Sequence, residues 1–137
     1  MPIFISQGRY SYGAIKGMIA KPEDRSKAAS KLIKEAGGRL LSYYLTFGEY
    51  DFLLVAEAPN ESAMAAAVLA AASGGGVTDL RTTLAMTPTD AMKAFEAAAG
   101  LAQSFKSAGQ AGLAWQGQDD PAANAARKAR GGRVSPE

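Results

Sequence analysis

The sequence predicts an α+β domain in which strands and helices follow one another as βαββαβ, with one further helix after the last strand. Three observations carry that expectation. Two strand-forming runs, 40–47 and 52–55, are separated only by Gly48-Glu49-Tyr50-Asp51, which is the pattern of a hairpin. Helical segments flank the hairpin, one with a stripe of Ala28, Ala29, Leu32, Ile33 and Ala36, the other rich in alanine. Glycines punctuate the chain where those helices should stop, at Gly37-Gly38 and at Gly74-Gly75-Gly76.

The elements follow in order. Residues 3–10 mix β-branched and aromatic residues with polar ones and suit an opening strand. A short helical segment over 11–20 is weakened by Gly13 and Gly17. Pro22 is expected to open a better helix, since proline is tolerated where the first N–H groups have no helical partner. Glu23 and Asp24 would add negative charge at its positive end. Gly37-Gly38 ends it, because glycine takes the left-handed cap conformation without a Cβ clash. Strands over 39–47 and 51–58 form the hairpin, and Asn60 caps a helix running to about Ser73. A fourth strand spans 77–86. Thr87-Pro88-Thr89-Asp90 then reads as a helix start, with Met92, Phe95, Ala98, Ala99, Ala102 and Phe105 on one side of the helix.

Right-handed crossovers close this order into a four-stranded antiparallel sheet with helices on one face, the ferredoxin-like arrangement. The opposite face is then bare, and an apolar bare face on a small domain is usually covered by a second copy. The domain is expected over residues 1–105. Residues 106–137 read as a Gly/Ala/charged tail, largely disordered, with Trp115 its one large apolar side chain and some helical character over 121–130.

Composition excludes several chemistries. Of 137 residues, 47% are apolar, enough for a core. There is no cysteine, hence no disulfide, thiolate metal site or cysteine nucleophile. There is no histidine either, so no Ser-His-Asp triad and no histidine haem ligand. No acidic loop has the ligand spacing of a magnesium or calcium site, and no metal or cofactor is expected. The net charge of +2 lies wholly in residues 106–137, where five basic side chains face three acidic ones; residues 1–105 are neutral. No secretion signal is evident at the amino terminus, and the alanine run 63–72 is too short to span a bilayer. A cytoplasmic location without membrane contact is the expectation.

Tyr44-Leu45-Thr46-Phe47-Gly48-Glu49-Tyr50-Asp51, with Glu57-Ala58-Pro59-Asn60 after it, resembles the signature of the GYD domain family, in which Gly48, Tyr50 and Asp51 are the motif residues. Gly37-Gly38 and Arg81-Thr82-Thr83-Leu84 match in the same order, so the resemblance covers about residues 1–98. It implies a ferredoxin-like fold of the dimeric α/β barrel kind, two sheets packed face to face, in small bacterial proteins without an established activity.

Alternation along the second hairpin strand puts Phe52, Leu54, Ala56 and Ala58 toward the helices and Asp51, Leu53, Val55 and Glu57 on the open face. In the functional reading, Asp51 and Glu57 form a polar ligand site inside the barrel, with Tyr44 and Arg81 from neighbouring strands. In the structural reading, Asp51 closes the hairpin through backbone N–H groups and Glu57 pairs with a cation across the interface, Arg81 for example. Tyr43, Tyr44 and Tyr50 suit packing better than base stacking. Gly74-Gly75-Gly76 follows a helix instead of opening one, which is wrong for a phosphate cradle. The sequence therefore points to a small-ligand-binding or assembly module on a homodimer or an assembly of dimers. The alternatives are a cofactor-independent isomerase or oxygenase using the barrel interior, and a nucleic-acid accessory protein acting through the basic segment 127–133. That basic segment is better read as a solvated tail.

Overall fold

A computed structural model describes residues 1–109. The readings made for Trp115, for 121–130 and for the basic segment 127–133 lie outside the described residues. The order is β1 (Ile3–Tyr10), α1 (Tyr12–Ala20), α2 (Arg25–Glu35), β2 (Arg39–Leu45), β3 (Phe52–Glu57), α3 (Glu61–Ser73), β4 (Val77–Ala85) and α4 (Pro88–Ser104). The four strands make one sheet in the order β2-β3-β1-β4, every neighbouring pair antiparallel. This is an α+β domain of the ferredoxin-like type. The chain divides into a unit over Met1–Ala91, which holds the whole sheet, and a second unit beginning at Met92.

Local chemistry explains most boundaries. The Ser11 hydroxyl accepts the Ala14 N–H at 3.1 Å and starts α1 despite its two glycines. Pro22 does not open α2, as the sequence suggested; it lies between the two helices. The start is set by Asp24, whose carboxylate accepts both the N–H and the hydroxyl of Ser26, at 3.0 and 2.6 Å. Proline instead pushes the preceding Lys21 out of helical geometry, to φ −143 and ψ 91, and so ends α1. At the far end of α2, Gly37 adopts φ +92. Its N–H donates to Lys34 and that of Gly38 to Ile33, both at 2.9 Å, which satisfies two of the last helical carbonyls. Gly38 is needed for another reason: a Cβ there would lie 1.9 Å from the Glu57 carbonyl oxygen. Asn60 caps α3 by accepting the Ala63 N–H at 2.8 Å, and Thr87 caps α4 by accepting that of Asp90 at 3.1 Å. Along α4, Met92, Phe95 and Leu101 are exposed, as is Phe105 just beyond it.

Helices α1, α2 and α3 lie on one face of the sheet. Phe4, Phe52, Leu54 and Ala56 are buried beneath them with Ile33 of α2 and with Met64 and Ala67 of α3. The alternation read from β3 is thus realised, Phe52, Leu54, Ala56 and Ala58 all turning inward. Tyr43 stacks on Phe52 at 5.8 Å between ring centroids, and Tyr10 leans on the same ring at 5.3 Å. Two irregularities interrupt the ladders. Leu41 is an extra residue in β2 between the pairs Leu40–Ala56 and Ser42–Val55. In β4 the pairing with β1 skips between Arg81 and Thr78, where Asp79 takes φ 52.

Candidate functional site

The face of the sheet opposite α1–α3 carries three cross-strand rows. Tyr44, Leu53, Gln7 and Arg81 make one, and Ser42, Val55, Ile5 and Thr83 the next. Arg39, Glu57, Ile3 and Ala85 make the third. Its centre, on β1 and β3, is therefore Ile3, Ile5, Leu53 and Val55, with polar groups at the margins.

The residues singled out from the sequence spread across this sheet. Tyr44 and Arg81 lie in one row on opposite edge strands, with β3 and β1 between them. Glu57 stands at the far end of β3, where its carboxylate is 3.3 Å from Arg39, not Arg81. Asp51 sits at the hairpin and accepts the Tyr10 N–H at 2.9 Å. Gly48 and Tyr50 belong to the turn itself, which Thr46 braces by donating its hydroxyl to the Tyr50 carbonyl at 2.6 Å. Among the described residues, no group of Asp and Glu side chains could hold a metal ion, and no helix is long and apolar enough to cross a membrane.

A second feature went unread in the sequence. Between the sheet and α1–α3 lies a cavity of about 700 Å³, and beside it a smaller one of about 460 Å³. Tyr10, Tyr43 and Arg25 line both. The two phenol oxygens are 2.5 Å apart, and burial followed by this hydrogen bond pushes the Tyr43 phenol well above its ordinary value. The available signal was that a tyrosine on the helix-facing side of a strand needs a hydroxyl partner, and two such tyrosines on one sheet face can supply each other.

The fold and its hairpin define a small ferredoxin-like domain whose helices α1–α3 pack on one face of the sheet. A protein-family model for the GYD domain matches residues 4–95, and the chain belongs to the GYD domain family. Over 77 residues it is 31% identical to the glutamine synthetase and cystathionine beta-lyase binding protein of Thermus thermophilus, which covers 56% of this chain and 81% of that relative. A solved Thermus thermophilus structure is 19% identical over 64% of this chain and 95% of its own, with a TM-score of 0.43. A transcriptional regulator from Neisseria meningitidis, solved with L-methionine, is 19% identical over 64% of this chain and 51% of its own, with a TM-score of 0.45.

Proposed function

We propose that the chain is a non-enzymatic binding and assembly module that works as a homodimer, the open faces of two sheets packed together into an α/β barrel. The observation that carries this reading is the apolar centre of the open face: Ile3, Ile5, Leu53 and Val55 adjoin across the two middle strands, opposite the layer formed by α1–α3. A sheet is stable when both apolar faces meet another layer, and a second copy supplies one by two-fold symmetry. The likeness to a Thermus protein named for binding two enzymes supports extending a protein-binding role to this chain. The marginal groups Tyr44, Glu57 and Arg81 would then fringe the barrel interior, where a small ligand could meet them.

Sedimentation velocity at micromolar concentration tests the reading. The parent protein should run as a dimer or an assembly of dimers. Val55→Asp, which places a charge in the middle of the packed faces, should run as a folded monomer. A parent protein that stays monomeric overturns it.

A further inference from the structure

The geometry points to a ligand site on the other face of the sheet: the cavity beneath α1–α3 takes a small monocarboxylic acid with an apolar body. This inference stands apart from the dimer, since every group it uses belongs to one protomer.

The interior is apolar. Ile33, Leu54, Met64, Val68 and Leu80 line the larger space, and the alanines of α3 leave it open. About 700 Å³ lies within the range of small-molecule pockets, which bury an apolar body and fix it with a few polar groups. Those groups are present at one end. Tyr10 and Tyr43 share one hydrogen bond between two hydroxyls, so one O–H proton remains to donate, and among the described residues no further acceptor engages either oxygen. Arg25 lines the same spaces and acts electrostatically on Tyr43. Its guanidinium is 3.5 Å from Glu23 in a half-exposed pair, a contact weak enough to yield to a buried partner.

Charge selects the ligand head. Lys21, Glu23 and Arg25 line the larger cavity and leave a single positive charge in excess, which suits a monoanion better than a dianionic phosphate. Asp24 adds to the lining of the smaller space and makes that side unfavourable for an anion. A planar carboxylate also matches the guanidinium fork and can accept the free phenol proton.

Calorimetric titration of the full-length protein with decanoate and with 1-naphthoate, using decan-1-ol as the uncharged control, tests the assignment. At least one acid should bind once per chain, and decanoate should outbind the alcohol by about tenfold, the worth of one charge-assisted contact. Arg25→Gln should weaken the acid by a similar factor and leave the alcohol unchanged. Glu23→Gln should tighten the acid, because it releases Arg25 from its partner. Both substitutions lie at the rim, and a thermal melt confirms that the variants are folded. Failure of both acids to bind at millimolar concentration overturns the assignment. So does equal affinity for acid and alcohol, or acid binding unmoved by both rim substitutions.

Discussion

The carboxylate of Asp51 accepts the backbone N–H of Tyr10 at 2.9 Å, while the N–H of Asp51 donates to the Gly8 carbonyl at 2.8 Å. The ladder between β1 and β3 ends at the pair Gly8–Phe52, so the side chain extends it by one bond beyond the last strand residue. The aspartate of the family motif therefore ties the hairpin to the first strand. Asp51→Ala should cost about 1–3 kcal/mol, the penalty for leaving a partly buried N–H without an acceptor. Asp51→Asn keeps an acceptor oxygen and should cost less. Urea melts of the two variants check the order, and an alanine variant as stable as the parent would remove this role.

Glu57 should matter much less. Its partner Arg39 is 71% exposed and the pair spans 3.3 Å, so solvent screens most of the attraction. Glu57→Gln should lower stability by about 0–1 kcal/mol, and added salt should shrink even that. A loss of about 3 kcal/mol or more is the size found when one member of a buried pair is removed. Such a loss would show that this corner of the sheet is closed off in solution.

Tyr43 predicts an alkaline weakness. Its phenol is held neutral in the fold by burial and by Tyr10, so the folded protein keeps a proton that the unfolded chain releases. The resulting stability is complete below the ordinary tyrosine value, about 10, and is lost as pH rises above it. The urea midpoint should fall on going to strongly alkaline buffer, and phenolate absorbance should show a tyrosine that ionises only on unfolding. Tyr43→Phe should flatten that fall while lowering stability near neutrality. A midpoint as alkali-sensitive in the variant as in the parent would assign the effect elsewhere.

Two helix caps give smaller effects of known sign. Asn60→Ala removes the acceptor for the Ala63 N–H and should cost about 1 kcal/mol in a thermal melt. Asp24 acts in acid: the hydroxyl and then the N–H of Ser26 hold its carboxyl below the usual value. Its contribution to α2 is present above the ordinary aspartate range and lost as pH falls through the lowered one. Asp24→Ala should therefore be the less stable protein near neutrality and approach the parent at low pH.

Features set by neighbouring residues were legible in the sequence. The hairpin, the glycine stop after α2, the Asn60 and Thr87 caps and the inward set Phe52, Leu54, Ala56 and Ala58 all depend on contacts within a few residues. The helix start at Asp24 was missed because two local signals compete there, and the side-chain cap prevailed over Pro22. The partner of Glu57 was not legible, since it depends on the register between β2 and β3. The extra residue Leu41 also reverses the alternation of β2 midway, so Leu40 and Tyr43, three apart, pair with Ala56 and Leu54 of the same buried face. Simple alternation from Leu40 would have turned Tyr44 toward the helices instead, and so would have hidden the Tyr10–Tyr43 pair.

Both strands that border the sheet, β2 and β4, are the bulged ones. A strand from another chain trying to lengthen the sheet would meet an outer edge kinked at Leu41 on one side and at Asp79 on the other. Regular hydrogen-bond rows cannot propagate past such kinks, and the charged Arg39 and Arg81 interrupt them further. The run Leu40-Leu41-Ser42-Tyr43-Tyr44-Leu45 has the composition of a fibril-forming segment, yet it stands where templated growth is blunted. Straightening β2 by deleting Leu41 should therefore make the domain more prone than its parent to aggregate with cross-β order.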